Sequence, residues 1–271
     1  RACNISIAMP GRMQEGGQSG EGVEAGRLLV LTDVTALMRA IRSRSDFVAN
    51  ASHELRTPVA AIRVAVETLM KMNFAEEADA ATRFAVIIAR HATRLDALVS
   101  DLLDLAKLES PAARFEPAVL HLQRVVDELH TRWDEELQSK ELRWRAEVMA
   151  EASQVTANGH LLRLVLDNLV DNAIKFTPHG GEVVVRTGAV GDRVIIEVSD
   201  TGCGIPPEDQ QRVFERFFQV DAVRTGTGSD KRGTGLGLSI VRHAVQAHAE
   251  RVWATSELGR GSTFHFTLKP A

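Results

Sequence analysis

Two apolar stripes constrain this chain more than anything else in it. Val48, Ala51, Leu55, Val59, Ile62, Val66 and Leu69 recur at intervals of three and four, and so do Phe84, Ile88, His91, Leu95, Leu98, Leu102, Leu105 and Leu108. That spacing is the seam of a helical bundle. It predicts one helix over about 36–72 and a second over about 78–109. The short polar turn between them makes an antiparallel hairpin. A lone hairpin has nothing to bury its stripes against, whereas two hairpins from two copies of the chain form a four-helix bundle. A homodimer is therefore expected. His91 falls on the second seam and reads as a core histidine rather than a ligand.

The first stripe frames an oddity in "SHELRTP", residues 52–58. At roughly 100° per residue, with Val48 at zero, His53 falls near 140° and Thr57 near 180°. The two share one face, a turn apart, away from the seam. Glu54 sits on the flank. Pro58 removes a backbone donor and should bend the helix just past this site. The ordinary alternative is a solvated face with a chance histidine. A carboxylate, a hydroxyl and a helix-weakening proline beside that histidine argue for function.

The 271 residues allow two domains and a fragment of a third. A net charge of −4 gives no reason to expect a nucleic-acid partner. Cys3 and Cys203 are neither a disulfide framework nor a metal set, which fits a reducing cytosolic setting. No run of about 18 apolar residues is present to span a membrane. The chain begins with Arg and shows no signal peptide, so it reads as a cut-out piece or processed product. That leaves an upstream membrane segment open.

Residues 11–26 are rich in Gly and polar side chains and read as a loop. "RLLVLTDVT" then reads as a strand ending at Asp33–Val34–Thr35, the tail of an upstream domain. Beyond Ser110–Pro111 the pattern turns to mixed strand and helix. Strands are expected near 117–121, 141–149, 154–157, 181–188, 192–200, 250–257 and 262–268. Helices are expected over 122–139, 159–175, 207–216 and 236–248. The fold class is thus α+β: a helical hairpin forming a dimeric four-helix bundle, followed by an α/β sandwich. The expected domains are 1–32, an upstream tail and loop; 33–112, the hairpin; and 113–271, the sandwich.

Three motifs in the second half carry chemistry. In "DNLVDNAIKF", Asn168 and Asn172 lie four apart on one helix face, with Lys175 three further on. Carboxamide oxygens suit hydrated Mg²⁺, and a lysine suits phosphate oxygens. In "SDTGCGIPPE", Asp200 ends a strand just before Gly202 and Gly204. A carboxylate there can accept from an exocyclic amine such as adenine N6, and the glycines let a planar ligand approach the backbone. In "RGTGLGLSIVRHAV", Gly233, Gly235 and Gly237 open an apolar helix, where exposed amides favour a polyphosphate. Residues 219–231 are polar and Gly/Thr-rich and read as a lid, with Phe214, Phe217 and Phe218 anchoring one end. Each motif alone has a bland alternative, in turn, an asparagine-rich helix surface, a strand–helix turn and a loose glycine loop. Together they point to a magnesium–ATP site, and an outward His53 is then placed for a nucleotide domain to reach.

This order of motifs resembles the transmitter core of the sensor histidine kinases of two-component systems, over residues 36–268. "SHELRTP" is similar to their H-box, "NLVDNAIKF" to their N-box, "DTGCGI" and "GTGLGLSIV" to their glycine boxes, and "FERFF" to their F-box. "GRLLVLTDVTAL" is similar to the end of a PAS sensor domain. The resemblance implies that His53 is the phosphoacceptor, that Glu54 orients or deprotonates it, and that Thr57 positions a water for dephosphorylation of the partner. It implies Mg²⁺ at Asn172 with Asn168 in support, phosphate at Lys175, and a nucleotide pocket lined by Phe176. It places adenine at Asp200, with Gly202 and Gly204 as that wall, and phosphates at Gly233, Gly235 and Gly237. It puts Arg216 at phosphate and Thr263 near adenine. The implied cofactors are ATP and Mg²⁺. The implied partners are a second copy and a response regulator receiver domain. The implied location is the cytoplasm, as a free chain or as the cytosolic part of an inner-membrane sensor. A plain ATPase and a non-catalytic scaffold are the competing classes.

Two departures from that pattern stand out. Ala249 and Glu250 replace the glycines of a turn in "AHAERV". If the turn needs a positive φ, a side chain there costs about 1 kcal/mol. Cys203 replaces an apolar residue and is expected to pack as a small hydrophobe.

Overall fold

The computed structural model describes residues 3–8, 28–73, 77–110, 116–220 and 233–271. It divides into two compact units, Arg1–Glu54 and Leu55–Ala271.

In the first unit, β1 (Cys3–Ala8) pairs antiparallel with β2 (Leu28–Asp33), Cys3 opposite Asp33. The β2 strand is the expected one; β1 is not anticipated by the sequence reading. The loop read at 11–26 lies outside the described residues. The Asp33 carboxylate accepts the Thr35 N–H at 2.9 Å, where helix α1 (Thr35–Leu69) begins.

Helix α1 continues through Pro58 without a break. The proline leaves one carbonyl in the preceding turn without its intrahelical donor. Much of the α1 stripe stays exposed in the single chain: Val48 at 57%, Val59 at 52% and Val66 at 39%. Helix α2 (Ala78–Glu109) buries Leu98 and Leu105 from its stripe. A hairpin of two long helices therefore precedes the sheet domain. No helix among the described residues is long and apolar enough to cross a membrane.

The sheet domain holds α3 (Leu122–Ser139), α4 (Gly159–Phe176) and α5 (Gly237–Ala247) with strands β3 (Ala118–His121), β4 (Arg143–Val148), β5 (Gln154–Ala157), β6 (Glu182–Val190), β7 (Arg193–Asp200), β8 (Val252–Glu257) and β9 (Gly261–Pro270). The strand order is β3-β5-β9-β7-β6-β4, with β8 also paired to β9. All pairings are antiparallel except β4 with β6. Helix α4 starts because the Asn158 side chain accepts from the N–H groups of His160 and Leu161. It then buries Leu161, Leu162, Val165, Leu166, Leu169, Val170, Ala173 and Ile174. Each buried leucine or isoleucine stabilises the fold by about 2 kcal/mol relative to exposure. Opposite them, β7 alternates strictly, so that Val194, Ile196, Val198 and Asp200 face inward. Asp200 is thus the last member of a core-facing row.

One expected helix is absent. Residues 207–216 form turns and a single 3₁₀ turn at Arg212–Phe214. Bonds of the i+3 kind, Asp209 to Pro206 and Arg212 to Asp209, close these turns. The adjacent Phe217 sits at φ 60°, and its N–H donates to the Gly235 carbonyl at 2.8 Å. That clasp to a distant loop outweighs local helical preference.

Candidate functional site

A cavity of about 600 Å³ opens among α2, α4, the end of β7 and the loop before α5. It gathers most of the residues singled out from the second half of the sequence. Asn168, Asn172, Lys175 and Phe176 line it from α4 because their spacing puts them on one edge of the helix. Asp200 and Gly204 line it from β7 and the turn after it, and Gly233, Gly235 and Gly237 from the loop opening α5. Gly202, Arg216 and Thr263 are not on its wall.

Burial pushes the Asp200 carboxyl up to about 6, although the N–H groups of Gly202 and Ser262 favour its charge. The Gly202 N–H lies 2.8 Å from Asp200 Oδ1. This makes Asp200 a desolvated acceptor at the cavity wall. Lys175 pairs with Asp171 one turn back on α4. The Asn168 amide nitrogen donates to the Leu164 carbonyl at 2.8 Å, and its oxygen lies 2.6 Å from where a Cβ on Gly237 would stand. A side chain at Gly237 would therefore displace the Asn168 carboxamide. Gly204, at φ +72°, is required by the close approach of the Glu257 carbonyl. At Gly204 the protein's own packing excludes a side chain and at Gly237 it crowds one, whereas the sequence reading invoked only a ligand.

The pleat sets Thr263 off the cavity wall. It pairs with Ser199, the two hydroxyls 2.9 Å apart, on the sheet face opposite Asp200. Its neighbour Ser262 lies on the inner register and lines the cavity. Arg216 also stands off that wall. It is paired with Glu109 of α2, and its guanidinium lies 3.3 Å from His243. Its distance from the cavity wall follows from that ion pair. His91, expected in a helical core, lines the cavity with Arg90, Arg94, Ala97 and Asp101 of α2. No sequence signal distinguished this α2 face, because its contribution depends on long-range docking. Cys203 is half-buried on the same wall.

Polar contacts at Asp101 and Glu109 hold α2 to this half. Thr234 donates to Asp101 at 2.6 Å, and Glu109 meets both Arg216 and His243, the latter at 3.2 Å. Burial raises the Asp101 carboxyl above its ordinary range, partly offset by the Thr234 hydroxyl. Most of the segment read as a lid lies outside the described residues. Next to it, the Gln219 carboxamide donates to the Gly233 carbonyl at 2.9 Å. Phe214 is buried edge-on against Phe264, and Phe218 receives the Arg212 guanidinium at 4.4 Å.

In the first unit, His53 is exposed and Glu54 half-buried; Thr57, the first polar residue of that face in the second unit, is exposed.

As to metal, no group of three or more His, Cys, Asp or Glu suited to an ion occurs among the described residues. A carboxamide oxygen at Asn172 is a hard donor that fits Mg²⁺ sharing its shell with ligand oxygens and water.

Comparison with known proteins places this architecture. The model of the histidine kinase-, DNA gyrase B- and HSP90-like ATPases matches residues 157–271, and that of the His Kinase A (phospho-acceptor) domain matches residues 43–111. The chain is 35% identical over 245 residues to the sensor histidine kinase WalK of Bacillus subtilis, covering 90% of this chain and 39% of that protein. It thus spans about two-fifths of that relative's length. Full-length ShkA, solved in complex with AMPPNP, is 27% identical at a TM-score of 0.60, over 83% of this chain and 46% of that one. The histidine kinase ThkA, solved in complex with the response regulator protein TrrA, shares the fold at a TM-score of 0.68 and 23% identity, over 92% of this chain and 71% of that one. A phospho-acceptor hairpin joined to an ATPase sandwich defines the class. The chain belongs to the sensor histidine kinases.

Proposed function

We propose that this chain is an ATP-dependent protein-histidine kinase whose phosphoacceptor is His53. The observation that carries the reading is an exposed imidazole inside the phospho-acceptor match, on a chain whose other half has most of the expected nucleotide residues around one cavity. Neutral His53 attacks the γ-phosphorus through Nε2. The N–P bond forms as the bond to the bridging oxygen breaks, and ADP leaves with that electron pair. Glu54 accepts from Nδ1–H and steadies the developing positive charge on the ring. Positioning and charge neutralisation carry most of the acceleration.

In the cavity, Asp200 accepts from the adenine amine and Phe176 packs beside the nucleotide. Lys175 and the amides around Gly233, Gly235 and Gly237 face the phosphates. Asn172 holds Mg²⁺, with Asn168 in support; the ion supplies charge neutralisation at the phosphates. Gly202 and Gly204 shape the adenine wall, with Ser262 in the place first read for Thr263. The domains are proposed as an upstream tail over 1–32, the hairpin over 33–112 and the catalytic domain over 113–271.

The phosphoryl group then passes to an aspartate of a response regulator receiver domain. Support comes from the family and from the ThkA complex. Thr57 is proposed to position a water that hydrolyses the regulator's phosphoaspartate. The exposed α1 stripe supports a homodimer, since a second hairpin would cover it. His53→Gln should abolish transfer of label from γ-labelled ATP while nucleotide affinity stays within twofold. Continued labelling of that variant overturns the assignment.

A further inference from the structure

The nucleotide cavity is not built by the ATPase sandwich alone. One face of α2 forms its remaining wall through Arg90, Arg94, Ala97 and Asp101, at spacings of four, three and four, which is a single stripe on a helix. The outer two contacts of α2 fix that stripe: Asp101 holds Thr234 of the glycine loop, and Glu109 holds Arg216 and His243. Lys175 and Gly233 line the same cavity. Lys175 is already paired with Asp171. Asp101 and Asp200 add further negative potential. A triphosphate entering this space brings more negative charge than Mg²⁺ and one lysine offset where three aspartates, Asp101, Asp171 and Asp200, line the same cavity. The two guanidinium groups of Arg90 and Arg94 in the α2 wall supply the rest, in a form suited to bidentate phosphate contact.

We propose that Arg90 and Arg94 are phosphate-binding residues of a composite site, so that nucleotide and α2 bind the catalytic domain together. The inference rests on the nucleotide reading above, and extends it to residues outside the ATPase match. It gives α2 a second task besides lining a bundle: bound nucleotide clamps it to the catalytic half.

The test is titration of the whole chain with ATP and, separately, with adenosine. Arg90→Gln and Arg94→Gln should each weaken ATP about tenfold, the double variant more, with adenosine affinity unchanged. Arg94→Lys should recover part of the loss. Adenosine serves as the check on folding, because it uses the Asp200 wall and no phosphate contact. ATP affinity unchanged within twofold in the double variant overturns the proposal. So does an equal loss for ATP and adenosine, which would mark the arginines as structural. Failure of the unsubstituted chain to bind ATP at all overturns the nucleotide reading itself, a separate result.

Discussion

Thr234 donates a 2.6 Å hydrogen bond to Asp101, joining the glycine loop of the catalytic half to a hairpin helix. The same hydroxyl accepts the Leu236 N–H at 3.2 Å, at the start of α5. One side chain thus closes the turn that leads into α5 and latches another helix. Thr234→Val keeps the shape and removes both bonds. Leu236 should then exchange its amide about fivefold faster, for a loss of about 1 kcal/mol. Hydrogen exchange read at that amide checks this, and unchanged protection contradicts the latch.

Asp200 predicts a pH dependence. Its carboxyl titrates near 6 in the fold because it is buried in the core-facing row of β7. Acceptance from an exocyclic amine is strongest once it is ionised. Nucleotide affinity should therefore rise between pH 5 and pH 7, with a midpoint near 6. Stability runs the other way. The folded state holds this proton more tightly than the unfolded chain, so the contribution is full below the ordinary carboxylate value of 3.8 and declines as pH rises to about 6. A displacement of that size is worth up to about 3 kcal/mol. Asp200→Asn should flatten the affinity profile, lower affinity and raise stability at pH 7. A steep profile surviving in that variant assigns the titration elsewhere.

The cavity glycines should separate by what each one faces. A Cβ on Gly204 would stand 2.2 Å from the Glu257 carbonyl oxygen, at a φ of +72°. Gly204→Ala should cost more than about 2 kcal/mol and lower the melting temperature by many degrees. Among the described residues, the one contact for a Cβ on Gly233 is Lys175 Nζ at 4.0 Å. Gly233→Ala should melt within about 2 °C of the parent. Thermal unfolding of the pair decides, and equal losses contradict the packing account.

Ala249 takes a φ of 58°, the left-handed conformation that its replaced glycine would suit. The cost anticipated from sequence is therefore present. Beside it, Glu250 is buried and engages Arg193 at 2.8 Å and Thr267 at 2.7 Å. Ala249→Gly should relieve the strain and, after the entropy of a freer unfolded chain, stabilise by about 0.5–1 kcal/mol. A calorimetric melt shifted downward would contradict this.

Periodicity made the long helices and the alternating strands legible, since each writes a single face into the chain. Asp200 was legible for a related reason, being a polar residue at the end of an apolar strand next to glycines. What escaped depends on pairing at a distance. Ser262 and Thr263 differ only in which side of β9 they occupy, and register decides that. The turns at 207–216 follow from a clasp between Phe217 and Gly235, eighteen positions apart. Arg90, His91 and Arg94 look like ordinary positions on a bundle helix until α2 meets the glycine loop. Strand β1 was missed because its partner β2 lies beyond a long glycine-rich stretch.

The central claim is a phosphoryl group carried on the His53 imidazole. Its most direct test is the chemistry of that bond, read on the peptide bearing His53 after incubation with ATP and Mg²⁺. The account predicts a phosphoryl group on that peptide that is lost in acid and survives in alkali. An acid-stable phosphoryl group on a hydroxyl, or release of free phosphate with no labelled protein, would contradict it.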